Sequence, residues 1–137
     1  MPHHRKIVPL HYSHLWHFVG IVLLTSIIYL SLTPKPPITL SFSMGDKLGH
    51  LLAYGILMGW YTQLYRGRMQ LMLLAIAFAL MGVLMEILQS VGGHRFFEYG
   101  DMLANTLGVA IGWWISGYLL AGLLLRLEKK AQQVLIK

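Results

Sequence analysis

Four long stretches of this 137-residue chain carry almost no charge. They read as helices over residues 15–33, 48–65, 69–91 and 102–125. A helix needs about 20 mostly apolar residues to cross the hydrocarbon core of a bilayer, with roughly 17–25 tolerated. A buried helix of a water-soluble domain is shorter or keeps a polar stripe. Composition agrees: 12% of the residues are charged and 56% are hydrophobic, whereas a soluble domain has about 25% charged residues. So small a chain has too much surface to hide that many apolar side chains from water. The expectation is an all-α polytopic membrane protein with four transmembrane helices and residues 1–137 in a single domain.

The breaks between the stretches fit this reading. Thr33-Pro34-Lys35-Pro36-Pro37 ends the first helix, because proline lacks an amide hydrogen and clashes with the preceding turn. Residues 38–45 read as a loop. Arg66-Gly67-Arg68 makes a tight turn, and Gly92-Gly93 supplies a C-terminal cap for the third helix. No A-x-A-like cleavage site follows Leu32, so the first helix reads as an uncleaved anchor. An orientation with both ends inside puts Arg5, Lys6, Arg66, Arg68, Arg126, Lys129, Lys130 and Lys137 on the cytoplasmic side. Only Lys35, Lys47 and Arg95 fall outside, which satisfies the positive-inside rule. The basic character of the chain is thereby explained by topology and anionic lipid, and no nucleic-acid partner is needed. With no cysteine, there is no thiolate metal site and no cysteine nucleophile.

The few acidic residues are the informative ones. Asp46 precedes the second helix, His50 shares its face at i+4, and Tyr54 continues that face. Glu86 lies near the outer end of the third helix, with Gln89 at i+3. Arg95 and Glu98 fall in the following loop. Asp101 opens the fourth helix, with Asn105 one turn deeper. Three helices therefore bring polar side chains to one membrane level. Ionisable groups in a bilayer are costly and usually face a bundle interior or a site. Simpler roles exist for single residues: Asp46 and Asp101 suit helix starts, His50 suits a packed histidine, and Arg95 suits a structural ion pair. Glu86 is the hardest to explain in a passive anchor. Gly108 and Gly112 continue the Asp101 face and allow close helix packing, as does Gly55-x-x-x-Gly59.

These residues carry a resemblance. Asp46-Lys47-x-x-His50-x-x-x-Tyr54 resembles the first motif of the VanZ-like membrane proteins. Glu86-x-x-Gln89, Arg95 and Asp101-x-x-x-Asn105-x-x-Gly108-x-x-x-Gly112 resemble the second. The likeness spans residues 46 to 112. It implies a small multi-pass protein of the cell membrane and carries a family association with resistance to the glycopeptide teicoplanin.

Two classes of function follow from the residues. In the first, Asp46, Lys47, His50, Tyr54, Glu86, Gln89, Arg95, Asp101 and Asn105 line an outward-facing polar pocket. That pocket binds a polar or lipid-linked cell-envelope ligand, such as an envelope precursor or glycolipid, among membrane lipids. In the second, an enzyme of lipid or envelope metabolism uses His50, Glu86 and Asp101 as acid–base groups or as an N/O metal set. Neither H-E-x-x-H nor G-x-S-x-G occurs, and no cofactor, resident metal or catalytic residue is assigned. A scaffold whose polar cluster only locks the bundle is the third reading.

Overall fold

The computed structural model describes residues 7–33, 44–92 and 97–135. Arg5, Lys6, the proline turn with Lys35, the loop to residue 43, Gly93, Arg95 and Lys137 lie outside them. Among the described residues the chain is all-helical: α1 (Ser13–Leu32), α2 (Gly45–Leu64), α3 (Arg68–Val91), α4 (Tyr99–Trp114) and α5 (Leu123–Leu135). A π-helical stretch, Ile115–Leu119, continues α4. An isolated bridge joins Ile7 to Tyr65.

Helices α1 and α3 are long and apolar enough to cross a membrane. The pair Tyr99–Leu119 and Leu123–Val134, bent by 48°, makes a third crossing if it is one span. α2 is as long as α1, 20 residues, but Asp46, Lys47, His50 and Gln63 keep it less apolar. Its position compensates for that polarity. α2 is the centre of the bundle, where Tyr54, Leu57, Met58 and Leu64 are almost wholly buried. Leu71 and Phe78 of α3 and Val109 of α4 complete the core around it. By contrast, α1 buries only Gly20, whose missing side chain admits Trp60 and Tyr61. α3 exposes Met69, Leu73, Ile76, Leu80, Leu84 and Val91 along its outer face. In water that face would be a large apolar patch. Hydrocarbon removes the penalty.

α2 and α4 run parallel and nearly touch. Lys47 meets Asp101, Gly55 meets Gly108 and Gln63 meets Ser116 in order along both helices. A Cβ on Gly108 would collide with the Leu51 carbonyl oxygen, and one on Gly112 with that of Gly55. Backbones approach this closely only where glycine stands. α3 and α4 are antiparallel, since Gly82 packs on Asn105 and Glu86 backs the loop that leads to Asp101.

The expected fourth helix over 102–125 needs correction at both ends. α4 starts earlier, at Tyr99, and the helix breaks after Leu119. The Leu120 amide donates to the Ile115 carbonyl at 3.1 Å, an i to i+5 bond that widens the last turn. Gly122 then takes φ of 71°, a left-handed conformation that ends the helix and lets α5 turn away. α5 is strongly two-faced and was not foreseen as a separate helix.

One end of the bundle gathers the segment before α1 and the start of α5. The Val8 amide donates to the Leu64 carbonyl at 2.9 Å. Val8, Leu10, Leu64 and Leu124 form a small core there, beside Trp16 and Trp60. The polar motif residues sit at the opposite end, where α2 and α4 begin and α3 finishes.

Candidate functional site

At that opposite end, the first turn of α2 supplies Asp46 and Lys47, and its second turn His50. The first turn of α4 supplies Asp101, with Glu98 at the N-cap position. Charge at these helix starts is favourable for the acids, because unpaired amides give the N-terminus a partial positive charge. The parallel packing of α2 on α4 then sets the two groups side by side. Lys47 Nζ lies 2.5 Å from Glu98 Oε2 and 3.4 Å from Asp101 Oδ1. His50 Nε2 lies 3.6 Å from Asp101 Oδ2 and 4.0 Å from Asp46 Oδ1. Asp101 is nearly sealed at 1% exposure, whereas Asp46 and Glu98 reach solvent.

Beneath this layer the polar atoms are buried. Glu86 is 2% exposed, and its Oε1 accepts the Glu98 amide at 2.8 Å. Among the described residues its Oε2 has no hydrogen-bond partner. The Tyr54 hydroxyl, Asn105 Oδ1 and Gln89 Oε1 are likewise buried without one. Gln89 turns its amide nitrogen to the Ser31 carbonyl of α1 at 2.6 Å. It thus ties α1 to the bundle on the flank of the cluster. Buried polar atoms normally find partners, and each one left alone costs about 1–3 kcal/mol. Several together leave hydrogen-bonding capacity unused beneath the ion-pair layer, among the described residues.

The structure brings Asp46, Lys47, His50 and Asp101 into one ion-pair layer, with Glu86, Tyr54 and Asn105 buried on α3, α2 and α4. Arg95 lies outside the described residues. A metal-compatible group exists: one ligand atom each from Asp46, His50 and Asp101 lie within 4.8 Å of one another. Glu86 is not part of that group, so the N/O set of His50, Glu86 and Asp101 weighed from sequence is not the one assembled.

Glu98 is the residue that sequence reasoning left idle. Its side chain holds Lys47, and its backbone holds Glu86. The available signal was an acid at the N-cap position with a second acid three residues on. Gln63 and Ser116 were also missed. Gln63 Nε2 donates to Ser116 Oγ, Ser116 O and Leu120 O at 2.6, 3.2 and 3.0 Å, and Ser116 Oγ donates to Gly59 O at 2.7 Å. Those bonds satisfy carbonyls of the π-helical stretch.

No curated protein and no solved structure matches the chain. The family model described as VanZ/LLP1 matches residues 4–121, which include both helical motifs and every residue of the polar cluster. The chain belongs to the VanZ/LLP1 family.

Proposed function

We propose that this is a multi-pass protein of the cytoplasmic membrane whose polar chamber binds a polar or lipid-linked cell-envelope ligand at the outer leaflet. In this reading four helices cross the bilayer and both ends lie inside. The basic residues support the orientation. Arg66, Arg68, Arg126, Lys129 and Lys130 fall at the end where the N-terminal segment meets α2 and α5, opposite the acidic cluster. α2 crosses despite its polarity because neighbouring helices, and not lipid, surround its polar face.

The observation that carries the binding reading is the set of buried oxygens on Tyr54, Glu86, Gln89 and Asn105 that have no partner among the described residues, beneath the ion-pair layer. A bundle locked only for stability gains nothing from leaving them unmet, because each costs free energy. A ligand bearing hydroxyl, amide or ammonium donors would satisfy them. Lys47 and the nearby carboxylates would orient its head group, and the exposed apolar faces would lie beside its lipid part.

A second reading rests on His50, whose Nε2 stands 3.6–4.0 Å from two carboxylates. That is a setting for a general base or a divalent cation.

Native mass spectrometry of the protein purified from its own membrane tests both. A retained lipid-linked species that is lost in Glu86→Gln and Asp101→Asn, with unchanged melting in detergent, is the expected result. A retained metal ion that is lost in His50→Ala would favour the second reading. Neither adduct in the parent protein would leave a purely structural cluster.

A further inference from the structure

The other half of the bundle carries a separate feature. Between α2 and α4 lies an apolar groove of about 350 Å³, within the range of roughly 300–1,000 Å³ common to small-ligand sites. Its floor is backbone, since Gly55, Gly59, Gly108 and Gly112 bring no side chains to fill it. Exposed Ile56 and Ile111 form its rims. From Leu51 to Gln63 the groove runs about 18 Å at 1.5 Å per residue. One leaflet of hydrocarbon is about 15 Å deep, half of a typical core.

The end of the groove near α5 indicates the occupant. Leu123 and Leu124 of α5 close it. One turn further along stand Arg126, Lys129 and Lys130, all exposed. The acid of this helix, Glu128, is 4% exposed and is engaged by the His11 and Tyr12 amides and the Trp16 indole. The exposed charges on α5 are therefore all positive. Gln63, one residue before the end of α2, also lines the groove at 7% exposure. Its amide nitrogen is committed to Ser116 and Leu120, while its Oε1 has no donor among the described residues.

We propose that the α2/α4 groove seats one acyl chain of an anionic phospholipid from the leaflet against which α5 lies, with its phosphate held by Arg126, Lys129 and Lys130. Apolar length, backbone floor and cationic mouth together match a lipid of that class. A hydroxyl in the head-group region supplies the donor that Gln63 Oε1 lacks. A second copy of the chain fits less well, because a two-fold pairing through this face would bring two cationic α5 helices together. The site is at the opposite end from the polar chamber and does not depend on what that chamber binds.

The test reconstitutes the full chain in vesicles of equal phosphatidylcholine and phosphatidylglycerol, followed by native mass spectrometry. The parent is expected to retain one phosphatidylglycerol in preference to phosphatidylcholine. Changing Arg126, Lys129 and Lys130 to Gln should reduce that preference roughly fivefold per cation removed. Gly59→Leu should abolish retention by filling the groove, since a Cβ there meets Gly112 O and Ser116 Cβ at an ordinary 3.6 Å. Ile111→Trp narrows the groove from its exposed rim and guards against misfolding of the first variant. Equal retention of the two lipids by the parent would overturn the proposal. So would an unchanged preference in the charge variants, or a dimer of chains in place of the lipid adduct.

Discussion

Glu128 accepts the indole N–H of Trp16 at 2.6 Å, across 112 residues of sequence. The same carboxylate accepts the His11 and Tyr12 amides at 2.7 and 2.9 Å. α1 has no side-chain cap of its own at Tyr12, and the Tyr12 amide, which a Glu or Gln in the first helical turn takes in a capping box, is met by an acid from α5 instead. α5 is thereby fastened to the start of α1.

Stability should respond to acid through this contact. Burial pushes the Glu128 carboxyl up, but the Trp16, Tyr12 and His11 hydrogen bonds and the His11 charge outweigh it, leaving the group below its usual value. A depressed folded value means the stabilisation is present above the unfolded pKa and is lost as pH falls through the folded one. Glu128→Gln should cost roughly 2 kcal/mol at neutral pH, because charged hydrogen bonds are worth about 1.5–3 kcal/mol. Trp fluorescence melts in detergent at descending pH check this. The parent should lose stability below about pH 4.5, near the usual carboxyl range, and the difference from the variant should shrink there. A constant difference would refute the assignment.

The glycines give a contrast within one interface. A Cβ on Gly112 would strike the Gly55 carbonyl oxygen, a backbone atom that cannot move aside cheaply, whereas one on Gly59 makes ordinary contact. Gly112→Ala should destabilise the bundle by about 1–3 kcal/mol, the usual cost of overpacking. Gly59→Ala should stay within about 0.5 kcal/mol of the parent. Equal effects in thermal melts would mean that the α2–α4 approach is looser than described.

How much of this was legible beforehand depended on the range of each interaction. Charge is scarce in the chain, so Asp46, Glu86 and Asp101 stood out, and i+4 spacing alone put His50 on the Asp46 face. The all-helical class followed from apolar length. The break after Leu119 was not readable, because Ile115–Leu119 carries no charge or proline to interrupt the span. Its widened turn depends on Gln63, which lies 53 residues away from Ser116. Glu98 and Glu128 were opaque for the same reason. Each is an unremarkable acid until Lys47 or the start of α1 is packed against it.

The bond set of Gln63 should be cooperative. Leucine at this position would leave the Ser116 carbonyl without its side-chain donor, at about 1–3 kcal/mol for a buried group left unmet, while the Leu120 carbonyl keeps the Leu123 amide at 2.9 Å. Ser116→Ala removes the hydroxyl that joins Gln63 to Gly59. A double-mutant cycle should therefore show the pair costing less than the sum of the two single changes, by at least about 0.5 kcal/mol. Strict additivity would show that Gln63 and Ser116 act independently.

Lys47 holds two acids of different character, and that difference sets the last expectation. The Glu98 side chain is 50% exposed and can turn to water, but that of Asp101 is only 2% exposed. Removing Glu98 as a partner should thus be mild, below about 1 kcal/mol for Glu98→Gln, as for exposed pairs. Lys47→Met should cost more, because it withdraws a counter-charge from a buried carboxylate. With Lys47 31% exposed, solvent screening keeps that cost below the one a fully buried pair would incur. If the buried charge is the cause, adding Asp101→Asn to Lys47→Met should restore part of the loss, since the amide needs no counter-ion. Thermal melts of the single and double variants decide it. A double variant that is less stable than Lys47→Met would show that Asp101 is held by neighbours other than Lys47.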